Sequence, residues 1–320
     1  MILRRARPED RDWFCRMAAG KTLPPHPHTG VGGAQRSQQL ADRYAQGWET
    51  MLARPNLLVL VSQQPDDYVI LLRGETETVT GERQSRIWDW GRDPKAFLPT
   101  LLRQAAQAGD RYLVARALPG EEELFSALGF RPELRRLLAP THGKTNESPF
   151  VVRPASALDT FFIAHLHSQS GHFYVPSNRQ VDLAEISLAS GTYYLGLNYG
   201  PNCPVWGRVL CWEGKPCGYV LYKLGLKVEE NGASAAYLYD IALLPEARGR
   251  SGSRILMQQT MLELAEMGVE YIVGDISIEN EQAFGVANRS LHFQLEWTRL
   301  GMKTPPPKEP SSGEKGPTRR

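Results

Sequence analysis

Apolar and polar positions alternate along this chain in a scheme that occurs twice. Leu57-Leu58-Val59-Leu60-Val61 and Tyr68-Val69-Ile70-Leu71-Leu72 are apolar runs separated by the turn-rich spacer Gln64-Pro65-Asp66-Asp67, which predicts a β-hairpin. Arg86-Ile87-Trp88-Asp89-Trp90 predicts a third strand. From Pro94 to Ala108 the apolar residues Phe97, Leu101, Ala105 and Ala108 keep helical spacing, and Tyr112-Leu113-Val114-Ala115 follows as a strand.

The second half gives clearer signals. Val209-Leu210-Cys211-Trp212 and Gly218-Tyr219-Val220-Leu221-Tyr222 flank the compact turn Glu213-Gly214-Lys215-Pro216. Asn231-Gly232, after Glu229-Glu230, favours a tight hairpin that leads into Ala236-Tyr237-Leu238-Tyr239-Asp240-Ile241-Ala242-Leu243-Leu244. A helix is predicted from about Gly252 to Met267, with Ile255, Leu256, Gln259, Leu262, Ala265 and Glu266 distributed as a buried stripe with a wet back, and Gly268 as its stop.

The two halves also begin and end alike, which makes the chain an internal repeat. Ile2-Leu3-Arg4-Arg5-Ala6 precedes a helical stretch at Asp12-Trp13-Phe14, and Val151-Val152-Arg153-Pro154-Ala155 precedes one at Thr160-Phe161-Phe162. Leu124-Phe125-Ser126-Ala127-Leu128-Gly129-Phe130 closes the first half, as Ser290-Leu291-His292-Phe293 closes the second. The expected division is 1–144 and 149–303, joined near Thr141–Ser148, with 304–320 a Pro-, Ser- and charge-rich tail that has nothing to bury and should be disordered.

Composition changes this picture little. A chain of 320 residues, 42% hydrophobic and 22% charged, accommodates two globular cores. A net charge of +2 with interspersed signs disfavours nucleic acid as a partner. No run approaches the roughly 18 apolar residues a membrane span needs, and no apolar signal core follows the amino terminus, so a cytoplasmic protein, monomer or homodimer, without membrane partners is expected. Cys15, Cys203, Cys211 and Cys217 form no CxxC pair and are expected to be reduced thiols. His165, His167 and His172 invite a metal reading, but no nearby carboxylate completes a ligand set; a helix end running into a polar loop is the favoured reading, and no metal is expected.

One segment carries chemistry. A strand that ends at Pro245, turns through Gly and Arg residues and opens a helix is suited to hold phosphate, because the first N–H groups of a helix lack intrahelical partners and its dipole end is positive. Arg248, Arg250 and Arg254 add charge there. The segment is neither a Walker loop nor a GxGxxG turn. Ile241-Ala242-Leu243-Leu244-Pro245-Glu246-Ala247-Arg248-Gly249-Arg250-Ser251-Gly252-Ser253 resembles the signature of the GNAT superfamily of N-acetyltransferases, and the likeness extends over most of 150–303, including Gly214–Gly218 and Asn280.

The resemblance implies an α/β (α+β) fold of two GNAT-like domains, each a mixed, mostly antiparallel twisted sheet flanked by helices. It also implies an acetyltransferase that moves the acetyl group of acetyl-CoA to a primary amine of a small molecule or peptide by direct attack. Cofactor contacts would come from Ile241, Ala242, Leu243, Arg248, Gly249, Arg250, Ser251, Gly252, Ser253, Arg254 and Asn280. Ser251 and Ser253 stand where the family usually has Gly. The first half has no such loop after Trp88-Asp89-Trp90, and so resembles a degenerate copy with a structural role or a role as a wall of the acceptor pocket.

Asp240 is the candidate base: it interrupts an apolar and aromatic strand, where desolvation should raise its pKa, and Tyr237–Ala242 resembles a strand of aminoglycoside 3-N-acetyltransferases with an aspartate at this place. An Asp satisfied by cross-strand hydrogen bonds is the competing reading. The tyrosine many relatives use as general acid is replaced by Ala287, with Asn288 beside it, and His292 precedes Phe293 where Gly is usual. His172–Arg179 would border the acceptor cleft. The alternative to an enzyme is a non-catalytic acyl-CoA-binding or scaffolding protein.

Overall fold

A computed structural model describes residues 3–64, 66–141, 148–200, 203–228 and 231–306, the side chain of His172 excepted. Most of the predicted linker (142–147), Glu229 and Glu230 of the Asn-Gly turn, and 307–320 of the predicted tail lie outside the described residues.

The first half runs β1 (Leu3–Arg5), α1 (Arg11–Ala19), α2 (Gly33–Ala53), β2 (Leu57–Ser62), β3 (Tyr68–Thr76), β4 (Arg83–Trp90), α3 (Leu98–Gln107), β5 (Tyr112–Ala117), α4 (Glu122–Ala127) and β6 (Arg131–Pro140). The second runs β7 (Phe150–Pro154), α5 (Thr160–Ser170), α6 (Leu183–Leu195), β8 (Trp206–Trp212), β9 (Lys215–Lys227), β10 (Ser234–Leu243), α7 (Gly252–Glu266), β11 (Tyr271–Ser277), α8 (Glu281–Leu291) and β12 (Gln294–Lys303).

All these strands form one 12-stranded sheet in the order β1-β2-β3-β4-β5-β12-β6-β11-β10-β9-β8-β7. The order reads the same from both ends because the halves exchange their last strands. β12 pairs with β5 from Thr298↔Ala117 to Lys303↔Tyr112, β6 pairs with β11 from Tyr271↔Pro140 to Ser277↔Leu134, and β6 and β12 meet antiparallel at the centre. The exchange leaves neither half with an unpaired edge at the centre.

Each half contains one parallel pair that parts midway. β10 and β11 are in register only from Ala235↔Tyr271 to Leu238↔Gly274; beyond that point β10 stays on β9 and β11 stays on β6. The β9–β10 ladder also shifts register between Leu238 and Asp240. In the first half β4 and β5 run together only from Gln84↔Tyr112 to Ile87↔Ala115.

Alternation along the strands supplies a core on each face. Val69 and Leu71 pack with Phe97, Leu101 and Phe125, whereas Tyr68, Ile70 and Leu72 pack with Phe14, Tyr44 and Trp48. In the second half Val220 and Tyr222 face α7 and α8, and Tyr219 and Leu221 face α5. The buried stripe of α7 differs from the predicted one: Leu256, Met257, Thr260, Met261 and Leu264 are buried, because the helix rolls its Met residues toward the sheet and leaves Ile255 and Leu262 half-buried. Each half opens with the same ion pair, Arg4 to Asp10 at 2.7 Å and Arg153 to Asp159 at 2.6 Å.

Candidate active site

Where β10 and β11 part, a cavity of about 280 Å³ opens. Of the residues singled out in the sequence, Asp240, Ile241, Ala242, Leu243, Arg248, Gly249, Ser253 and Asn280 line it, and Arg250, Ser251, Gly252 and Arg254 do not.

The loop entering α7 is a single 3₁₀ turn, Pro245–Ala247, followed by two left-handed residues, Gly249 at φ +71° and Ser251 at φ +64°. Ser251 thus occupies a conformation that favours glycine, at a cost of about 1–2 kcal/mol. Ser253 lies within the helix, where a side chain is ordinary. Ser251 is the N-cap of α7 but its hydroxyl makes no capping bond, so the helix N–H groups are not closed off by their own cap. A Cβ on Gly252 would stand 2.7 Å from the Ala247 carbonyl oxygen and 2.9 Å from Leu243 Cδ2, so this position needs glycine for close packing. Arg248 Nε donates to the Leu243 carbonyl at 3.1 Å, and the Arg250 guanidinium lies 4.2 Å from the Trp212 ring centre. Asn280 caps α8, its Oδ1 accepting from Ala283 N at 3.1 Å.

Asp240 is buried and caged by donors. His167 Nδ1 donates to its Oδ2 at 2.8 Å, the Tyr219 hydroxyl donates to the same oxygen, and the Tyr174 hydroxyl donates to Oδ1. His167 is in turn stacked on Tyr194 at 3.7 Å. The expected rise in the Asp240 pKa is overturned: burial pushes the carboxyl up, but the hydrogen bond and charge of His167 and the two tyrosine donors outweigh it and hold the carboxyl below its ordinary value. Burial and the Asp240 charge push the Tyr174 phenol well above its ordinary value, so it remains a protonated donor. His167 lies in the last turn of α5, the helix end expected from the sequence, and faces inward.

Sequence reasoning weighed His167 only as a metal ligand, read Tyr219 only as part of a strand, passed over Tyr194, and placed Tyr174 only within a bordering loop. Tyr219 was legible in principle, since it sits opposite Ala242 and thus on the diagonal of Asp240. The other members come from helices, and their meeting is tertiary. Ala287 lines the cavity and offers no hydroxyl; Asn288 Nδ2 is spent on the Phe293 carbonyl at 3.1 Å. His292 ends α8 at φ +57°, which explains a family preference for Gly there, and its side chain is exposed outside the cavity lining. Among the described residues no group of His, Cys, Asp and Glu could hold a metal ion, and no helix is long and apolar enough to cross a membrane.

The first half contains the same cage. Asp89 accepts from the Tyr44 hydroxyl at 2.6 Å and the Tyr68 hydroxyl at 2.8 Å, and pairs with Lys21 in place of a histidine. Tyr68 stands opposite Gly91, two residues after Asp89, as Tyr219 stands opposite Ala242, two residues after Asp240. What differs is the next position. Gly218 lies opposite Leu243, and a Cβ there would stand 3.1 Å from Leu243 Cγ. At the corresponding place the first half has Asp67, whose carboxylate accepts from the backbone N–H of Arg92 at 2.8 Å and of Asp93 at 3.1 Å. The first half therefore ties these N–H groups to its own carboxylate, whereas in the second half the N–H of Leu244, the counterpart of Asp93, donates to the Cys217 carbonyl at 2.8 Å.

Residues 166–293 match the model of the Acetyltransferase (GNAT) family, and this part of the chain is a GNAT domain. Among solved structures the chain is similar to a GCN5-related N-acetyltransferase from Sphaerobacter thermophilus, at 13% identity over 95% of this chain and 96% of that one, with a TM-score of 0.52. It is also similar to a tandem GNAT protein from the clavulanic acid biosynthesis pathway, at 14% identity over 93% and 96% of the two chains, with a TM-score of 0.46. No curated protein matches the chain. The fold is the GNAT fold, laid down twice, and family and fold support acyl transfer with an acyl-CoA as co-substrate.

Proposed function

We propose that the protein transfers an acetyl group from acetyl-CoA to a primary amine of a small molecule or peptide, by direct attack of the amine on the thioester. The observation that carries this reading is the cavity between the parted β10 and β11, which joins the uncapped start of α7 to the Asp240 cage.

In this reading the N–H groups at the start of α7 and the turn through Gly249, Ser251 and Gly252 hold the pyrophosphate, with Arg248, Arg250, Ser253, Arg254 and Asn280 around it. The backbone of Ile241, Ala242 and Leu243 pairs with the pantetheine arm, and the N–H near Leu243 polarises the thioester carbonyl and stabilises the oxyanion that develops. Two glycines support the fit: Gly252 lets the turn close on Leu243, and Gly218 lets β9 pack closely on Leu243, where a Cβ would stand 3.1 Å from its Cγ.

As the amine nitrogen bonds to the carbonyl carbon, positive charge develops on nitrogen, and the C–S bond then breaks to give CoA thiolate. A carboxylate held below its ordinary pKa is a weak base, so Asp240, which lines the cavity with Tyr174, acts chiefly as fixed negative charge that favours the cationic nitrogen, and the proton that nitrogen loses passes to the departing CoA thiolate.

Calorimetry with acetyl-CoA, followed by an amine panel read with a thiol-reactive dye, tests the proposal; absence of acetyl-CoA binding sinks it. Binding without thiol release, together with no effect of Asp240→Ala, favours a non-catalytic acyl-CoA-binding protein, the reading to which the missing hydroxyl at Ala287 points.

A further inference from the structure

The segment 171–182, between α5 and α6, supplies Phe173 and Tyr174 to the cavity, yet it is anchored on the other half of the molecule. Arg179 has a side chain with 0% exposure. It donates to Glu133 through Nε at 2.8 Å and Nη2 at 2.9 Å, and to Gln84 Oε1 at 2.9 Å, while its guanidinium lies 4.1 Å from the Tyr112 ring centre. Asn178 Nδ2 donates to Glu133 at 3.1 Å, and the Tyr112 hydroxyl donates to the Asn178 carbonyl at 3.4 Å. Gln84, Tyr112 and Glu133 stand on β4, β5 and β6, all of the first half. The exchanged β12 adds Arg299, ion-paired with Glu133 at 2.8 Å, and Gly301, where a Cβ would stand 2.1 Å from Glu133 Oε1.

The repeat provides a control. Tyr271, the first residue of β11, donates to the His28 carbonyl at 3.5 Å, as Tyr112, the first residue of β5, donates to that of Asn178. After His28 comes Thr29; after Asn178 comes Arg179. The buried arginine is present only on the strap whose loop carries Tyr174 to Asp240.

We infer that the first half serves the reaction by clamping the acceptor-side loop of the second, and that Arg179 is the positioning residue of this clamp. A loop of this length gains order only if something outside it supplies the contacts. A planar guanidinium held by two bonds to one carboxylate fixes direction as well as distance, which a lysine does not. The consequence for catalysis rests on the proposed reaction; the clamp itself does not.

Hydrogen exchange of the full chain without ligand tests it, comparing Arg179→Met and Arg179→Lys with the wild type. Peptides covering 171–182 are expected to exchange at least about tenfold faster in Arg179→Met and to an intermediate degree in Arg179→Lys, while those of α7, β2 and β3 stay within about twofold. Wild-type exchange across 171–182 in a folded variant overturns the inference, as does a uniform rise over the whole chain. If Arg179→Met does not fold, Glu133→Gln, which keeps the side-chain shape, is read in the same way. With any amine that is turned over, Arg179→Lys should raise the amine KM while leaving the acetyl-CoA Kd within about twofold; an equal loss for both substrates overturns the positioning role. If the wild type binds no acetyl-CoA, the proposed reaction falls, and the exchange comparison still decides the clamp.

Discussion

Asparagine at position 240 keeps the shape of the side chain and removes its charge, in a cage where both carboxylate oxygens accept. Oδ2 receives His167 and Tyr219, and Oδ1 receives Tyr174. An amide has one accepting oxygen, so its NH₂ must face at least one of these donors, and the remaining bonds lose their charged acceptor. Hydrogen bonds to charged groups contribute about 1.5–3 kcal/mol each, which puts the loss in Asp240→Asn on the order of 3–5 kcal/mol. Asp89→Asn makes the same change in the first half, against Tyr44, Tyr68 and Lys21, and should cost a similar amount. The pair therefore separates structure from chemistry. Urea unfolding should show the two variants within about 1 kcal/mol of each other, while thiol release in the amine assay falls by about 10²-fold or more only in Asp240→Asn. If thiol release falls equally in both, or survives in Asp240→Asn, the cage is a structural device that occurs twice, and the part given to Asp240 in the reaction is wrong.

Further outcomes follow from the same geometry. Because the Asp240 carboxyl is held below its ordinary value, its contribution to stability is present above the unfolded-state pKa near ~3.9 and is lost as pH falls through the folded value, so acid unfolding of Asp240→Asn should show a weaker pH dependence there than wild type. Gly252→Ala forces a methyl against the Ala247 carbonyl and Leu243, and should cost about 1–3 kcal/mol in urea unfolding and weaken acetyl-CoA binding measured by calorimetry. Asp67→Ala strips the acceptor from the N–H groups of Tyr68, Arg92 and Asp93 and should destabilise by about 1–3 kcal/mol. In the same variant acetyl-CoA stoichiometry stays at one per chain, because α3 is entered through a 3₁₀ turn at Pro94–Ala96 whose first N–H groups are met by Pro94 and Asp93, with no turn like Arg248–Gly252 before it.

Much of the fold was legible because it is written locally. The hairpins, the strand through Asp240, the helix after Gly252 and the repeat itself all follow from short-range pattern and turn residues. The long helix α2 was not, since Gly33–Ala53 is mostly polar and buries only Ser37, Ala41, Tyr44 and Trp48, a stripe too sparse to read without the sheet beneath it. The exchange of β6 and β12 was equally hidden. Each is an antiparallel strand that would pair as well within its own half, and the choice between them is settled by how the halves dock. At the site, Asp240 was noticed as a charge in an apolar strand, but the sign of its pKa shift depends on His167 and Tyr174, which helices and a loop bring from far along the chain.

Duplication makes the divergence of the halves readable at single positions. Both keep the Arg–Asp pair at their start, the parted parallel strands and the caged aspartate, which indicates that these features serve the fold whatever else they do. They part at Asp67 against Gly218 and at Thr29 against Arg179. The first difference places a carboxylate on the N–H groups beside one set of parted strands and a close backbone contact with Leu243 beside the other; the second pins only the loop beside the cavity. The two changes act in the same direction. A half whose strand end is tied down by its own carboxylate offers a fixed wall, and the loop that carries Tyr174 to Asp240 is set on that half through Arg179 and Glu133.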